Sequence, residues 1–249
     1  MIWSEESGRL GATLVVLVHG SMDRSAGLLR LSRRLAHEHR VLRYDRRGYG
    51  RSTPHPGPFR MVDQVADLVG LLDGRTAVLF GHSLGGDVAL ATAARHPGLV
   101  AGVVVYEPPL SWLPWWPSTS AGTQALDGHA DPADAAEQFM RRLVGDHRWE
   151  RLPPGTRAAR RREGAAMVGE LVDLRARAPW RAEALTMPVV AMHGELGAPH
   201  HRRGVEQLAA WIPGCEISVV PGAKHFGPNT HAGAVADVVA GLVGRVGGP

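Results

Sequence analysis

Thr76-Ala77-Val78-Leu79-Phe80-Gly81-His82-Ser83-Leu84-Gly85-Gly86-Asp87-Val88-Ala89-Leu90-Ala91 is the stretch on which the fold turns. Its first five residues form a short apolar run of strand type. Its last residues are helix formers that continue to Arg95 and stop before Pro97. A serine therefore sits on a sharp turn between a buried strand and a helix, the context of a Gly-x-Ser-x-Gly nucleophile elbow. The turn strains the serine backbone, and glycine on either side lets strand and helix approach closely. The strand end lifts the hydroxyl above the sheet, and the helix N-terminus behind it favours developing negative charge. The pentapeptide alone is weak evidence. With 31 Gly and 11 Ser in 249 residues, chance supplies roughly 0.2 such patterns, so the rest of the chain must decide.

Outward from this stretch the same alternation repeats. Thr13–Val18 is a continuous apolar run, predicting a strand buried on both faces. It ends in His19-Gly20-Ser21-Met22. An amphipathic helix is expected over Leu28–His37, then a strand over Val41–Tyr44 that ends in Asp45-Arg46-Arg47-Gly48. Val62–Leu72 reads as a helix. Ala101–Tyr106, Pro188–Met192 and Glu216–Val220 read as further buried strands. Residues 1–12 are short and polar, with little room for a leading strand pair. Strands alternating with helices predict an α/β fold, a mostly parallel sheet with helices on both faces. Sites in such sheets form at the carboxyl ends of strands. His19, Asp45, Ser83, Glu107, His193 and His225 all fall there, and that shared placement is the strongest sequence argument. Residues 110–185 break the alternation. They open on Ser111-Trp112-Leu113-Pro114-Trp115-Trp116-Pro117, with helical stretches near 132–145 and 156–177. They are expected to form a helical cap inserted into a core made of residues 1–109 and 186–249.

Composition excludes several classes. Hydrophobic content of 44% and charged content of 21% are those of an ordinary globule. No apolar run approaches the ~18 residues that cross a membrane, and no basic start with a long apolar core marks a signal peptide. Cys215 is the only cysteine, so no internal disulfide forms, and a cytoplasmic location is expected. Net charge is +4, carried almost wholly by arginine because Lys224 is the only lysine. The densest basic patch, Arg157 to Arg162, reads as a solvated helix face, and no nucleic-acid motif accompanies it.

With these motifs in place, the sequence resembles the α/β-hydrolase superfamily, and within it bacterial capped hydrolases with a Tyr-Glu-Pro-Pro stretch, here Tyr106 to Pro109. The resemblance rests on His19-Gly20, the Asp45–Ser52 loop, the Gly81–Gly86 elbow, the cap position and Gly222-Ala223-Lys224-His225-Phe226. It implies Ser83 as nucleophile and His225 as base, since a serine hydroxyl needs an adjacent base. It implies an oxyanion hole from the N–H groups of Leu84 and Ser21. The commoner family pattern puts an aspartate three residues after Gly194, but position 197 is glycine. Glu107, at the end of the strand after the nucleophile strand, and Glu195 are the two available acids, and Glu107 is preferred. Asp45 and Arg46 are expected to brace a loop. Trp112, Trp115 and Trp116 are expected to line an apolar acyl pocket above Ser83, with other cap tryptophans forming its core. His200 and His201 lack the spaced Cys or carboxylate partners of a metal site. No metal and no cofactor are expected, and the partner is a small apolar acyl substrate.

The resulting expectation is a capped hydrolase of carboxylic esters, thioesters or lactones acting through an acyl-serine. Ser83 argues against dehalogenase and epoxide hydrolase chemistry, which uses an aspartate nucleophile. C–C bond or amide hydrolysis on the same residues stays open. So does a non-catalytic binding protein that uses the cap as a lid.

Overall fold

A computed structural model describes residues 1–128 and 131–247. Residues 129 and 130 of the expected cap, and 248 and 249 of the expected core, lie outside them. Seven strands form one sheet: β1 (Ser4–Gly8), β2 (Leu14–Val18), β3 (Arg40–Tyr44), β4 (Ala77–His82), β5 (Val100–Tyr106), β6 (Val189–Gly194) and β7 (Glu216–Val220). Their spatial order is β1-β3-β2-β4-β5-β6-β7. Only β1 is antiparallel to its neighbour. The polar N-terminus thus supplies a single leading strand. Its five residues are all exposed, so no apolar pattern announced it.

Among the described residues, eleven α-helices connect and cover the sheet: α1 (Leu29–Leu35), α2 (Met61–Leu72), α3 (Leu84–Arg95), α4 (Ala121–Leu126), α5 (Pro132–Val144), α6 (Asp146–Glu150), α7 (Pro154–Arg162), α8 (Gly164–Ala176), α9 (Pro199–Trp211), α10 (Gly227–Thr230) and α11 (Ala232–Val246). Strand residues alternate between two cores, as the pleat requires. Val16, Val18 and Leu79 face Leu68 of α2, Val88 of α3 and Leu208 of α9. Val15, Leu17 and Phe80 face Leu31 of α1 and Val239 of α11. The expectation that Glu216–Val220 is buried is corrected. β7 closes one edge of the sheet, and Ile217 and Val219 are 46% and 48% exposed.

Helices α4–α8 lie between β5 and β6 in sequence. Their apolar residues Ala135, Phe139, Met167 and Leu171 belong to the same core as one face of the sheet, so they are packed onto it. A buried polar knot adds to this. Arg46, 1% exposed, donates to Gln64 and to Glu170 of α8 at 2.6 Å, while the Tyr49 hydroxyl donates to the other Glu170 oxygen at 2.6 Å. Glu163 receives Arg24 at 2.6 Å, and Arg160 donates to the Met22 carbonyl at 2.7 Å. Arg161 pairs with Asp134 and Glu137, and Arg157 with Glu150. The basic run is therefore largely spent in ion pairs, because opposing acids come from other helices distant in sequence.

Glu170→Ala leaves the Arg46 guanidinium buried without its carboxylate. The expected loss is about 3–5 kcal/mol in urea unfolding, much of it recovered in Arg46→Met/Glu170→Met. A single-variant loss under about 1 kcal/mol counts against the knot as an anchor.

Candidate active site

Ser83 follows β4 directly and has φ 51° and ψ −130°. Such a backbone is costly for a non-glycine residue and persists only when its surroundings impose it. They do so here: the Ser83 N–H donates to the Tyr106 carbonyl at 2.8 Å and the Ser83 carbonyl accepts from Gly86 N at 2.7 Å. A side chain at Gly81 or Gly85 would meet backbone atoms of Gly85 or Val18 closer than 3.0 Å. Leu84 opens α3, so its N–H has no intrahelical acceptor.

Glu107 follows β5 directly, also at positive φ (48°), and is completely buried. One carboxylate oxygen accepts from Gly194 N at 2.9 Å, and the other lies 2.7 Å from His225 Nδ1. That contact puts the Nδ1 proton toward Glu107 and leaves Nε2 as the free lone pair. Glu195, the other candidate acid, is exposed and instead accepts from Gly222 N at 2.8 Å. Gly197 explains the arrangement. A Cβ there would stand 2.5 Å from Glu107 Oε1, so an acid at position 197 and Glu107 compete for one space. Gly197→Ala is expected to displace the carboxylate, lowering kcat about tenfold or more while Tm changes little. Equal activity would show that Glu107 has slack which its burial argues against.

The histidines divide clearly. His19 is buried. Its Nε2 accepts from Arg46 N at 2.9 Å and its Nδ1 lies 2.8 Å from the Gly20 carbonyl, so it ties two loops together. Burial pushes the pKa of His82 down to about 3, and its Nε2 lies 2.8 Å from the His225 carbonyl. His201, weighed in the sequence only as a metal ligand, is stacked on His225 with ring centres 4.6 Å apart at 16°, and its Nε2 is 3.9 Å from Glu107. Burial holds His201 well below the usual histidine range, followed by the effect of His225. It is therefore a neutral wall over the acid–base pair. The only signal for it was its position at the start of the helix after the Gly194 loop.

Among the described residues, Glu107, His201 and His225 have ligand atoms within 4.8 Å of one another. The 2.7 Å Glu107–His225 contact is a direct hydrogen bond, which an ion held by both atoms would have to replace.

Ser83, His225 and Ser21 line one cavity of about 410 Å³. Trp116 also lines it, packed against His200 with ring centres 4.8 Å apart. Trp112 and Trp115 do not, which corrects their expected place. Trp112 turns back onto Trp180 at 5.8 Å, and Trp115 lies under the Arg203 guanidinium at 4.2 Å. Three tryptophans within five positions cannot share one direction in a turn. A larger cavity of about 840 Å³ lies beside Arg24, Asp45, Arg51 and Glu163, without Ser83 or His225 among its walls. Four of its charged groups pair with each other, Arg24 with Glu163 and Arg51 with Asp45.

Residues 15–238 match the model of the "Alpha/beta hydrolase family". A 2-(acetamidomethylene)succinate hydrolase of Mesorhizobium japonicum is 26% identical over 237 residues, covering 86% of this chain and 81% of that protein. Among solved structures, an esterase of Thermogutta terrifontis superposes with a TM-score of 0.76 at 22% identity, covering 98% of this chain and 93% of its own. An enol-lactonase of Burkholderia xenovorans does so with a TM-score of 0.73 at 24% identity, covering 98% and 96%. At these identities the two structures speak to the fold.

Proposed function

The chain belongs to the alpha/beta hydrolase family, and from that premise we propose a serine-dependent hydrolase of carboxylic esters, thioesters or lactones that works through an acyl-enzyme. The observation that carries this reading is the 2.7 Å contact from Glu107 to His225 Nδ1 in a cavity shared with Ser83.

In this mechanism Ser83 Oγ attacks the substrate carbonyl carbon while His225 Nε2 accepts the hydroxyl proton. Glu107 holds the Nδ1 tautomer and stabilises the imidazolium that forms. The N–H groups of Leu84 and Ser21 receive the developing oxyanion. Collapse of the tetrahedral intermediate breaks the bond to the leaving group, which takes the proton from Nε2. Water then gives a proton to Nε2 and attacks the acyl-serine. Its collapse releases the acid and returns the proton to Ser83. The ground-state hydroxyl of Ser83 is not hydrogen-bonded to a described side chain, as is common before substrate tightens a catalytic array.

The cavity walls Trp116, Phe139, Leu143, Leu171 and Phe226 suit an apolar acyl or leaving group. The test is turnover of a short activated ester together with covalent labelling by a fluorophosphonate, mapped by peptide analysis to Ser83. A protein that binds such esters but neither turns them over nor takes the label at Ser83 is a binding protein on this fold.

A further inference from the structure

Among the described residues, 14 of the 27 arginines reach a carboxylate within 4.0 Å. Arg24, Arg43, Arg46, Arg47, Arg141 and Arg161 each reach a carboxylate within 3 Å. The cavity of Ser83 draws its arginines from those without such a partner. Its walls carry Arg142, Arg175 and Lys224 together with His200, His201 and His225, and no Asp or Glu. Among the described residues, none of these three cations lies within 4.0 Å of a carboxylate. The contrast is sharp on α5, where Arg141 pairs with Glu137, Asp146 and Glu150. Its neighbour Arg142 donates only to the Thr119 carbonyl, at 2.8 Å.

Arg175, on the last turn of α8, is the inner member. It is half-buried and donates to the Thr123 hydroxyl. Thr123 Oγ1 lies 2.7 Å from Ser120 Oγ, which accepts from Trp116 Nε1 at 3.2 Å. Ser111 Oγ, on the same cavity, is buried with no hydrogen-bond partner. Burial draws the Arg175 guanidinium below its ordinary value, with exposed Asp127 only partly opposing from beyond ion-pair range. A half-desolvated planar cation without a carboxylate partner is complementary to a carboxylate, which a guanidinium holds through two parallel hydrogen bonds. Resting on the hydrolase reading of the same cavity, we propose that its substrate carries a free carboxylate, bound by Arg175 with Arg142 at the rim. The substrate class is thus an ester, thioester or lactone of a dicarboxylic acid, its apolar middle lying against Phe139, Leu143 and Leu171.

The experiment compares kcat/KM for the mono-aryl ester of adipic acid with that for the aryl hexanoate, which has the same chain length and no charge. Wild type is expected to favour the charged ester by about tenfold or more. Arg175→Gln should collapse that ratio by about tenfold or more, the scale of a charge-assisted pair. Wild type alone gives a second readout. Free adipate should compete with hexanoate turnover at concentrations where adipamide does not. Equal losses on both esters in Arg175→Gln, or wild-type preference for the neutral ester, would overturn the proposal and make Arg175 a brace for Thr123. Competition by inorganic phosphate but not adipate would overturn it as well. If wild type turns over neither ester, calorimetry with adipate decides. Binding that Arg175→Gln abolishes keeps the carboxylate subsite and removes the serine-hydrolase reading, whereas no binding removes the subsite.

Discussion

Ser83→Ala should abolish fluorophosphonate labelling and lower kcat on an activated ester by on the order of 10⁴-fold or more, the scale on which a nucleophile acts as one unit with its base. The expectation follows from position as much as from residue type. Ser83 is held at φ 51° between Tyr106 and Gly86, at the start of α3. No other serine of the chain has that backbone among the described residues. The fold should survive, because the side chain makes no hydrogen bond that packing depends on. Ser83→Gly should melt at least as high as Ser83→Ala, since glycine adopts positive φ without the cost a Cβ imposes. Labelling that persists in either variant would show that the nucleophile lies elsewhere.

The second large effect concerns the acid. Glu107→Gln should lower kcat by on the order of 10²–10⁴-fold, and Glu195→Gln by less than about threefold. Glutamine keeps the shape and keeps an oxygen for Gly194 N. The atom turned toward His225 then becomes an N–H₂ donor, which the Nδ1 proton opposes. The ring is driven to the other tautomer, leaving Nε2 protonated and unable to accept from Ser83. Glu195 has no such link: its carboxylate is exposed and bonded to Gly222 N. Measuring both variants on one ester separates the candidates. A large Glu195 effect with a small Glu107 effect would assign the acid to the other loop.

The sheet was legible because its evidence is local. A strand buried on both faces must be apolar at every position, and Leu14–Val18 and Ala77–Phe80 are. A helix following a glycine-bounded turn declares itself within ten residues, so the Ser83 elbow could be read without any partner. The two strands whose burial or presence was misread, β1 and β7, are the edges. An edge strand is only partly covered, so its composition carries no burial signature.

The candidate site was legible only in its parts. That Ser83, Glu107 and His225 each end a strand or follow one could be read from the chain. That Glu107 touches His225 across 118 positions depends on the spatial order in which β5 neighbours β6, which no local pattern encodes. The absent aspartate at 197 read as a gap. Tertiary structure turned it into a consequence, because Glu107 Oε1 already fills the space that a side chain there would need. The tryptophan directions, the stacking of His201 on His225 and the unpaired Arg175 share this origin. Backbone pattern and turn chemistry are nearest-neighbour properties and survive in a sequence. Which side chains converge on one cavity, and which charges are left without a partner there, is set by distances between segments that meet only when the chain is folded.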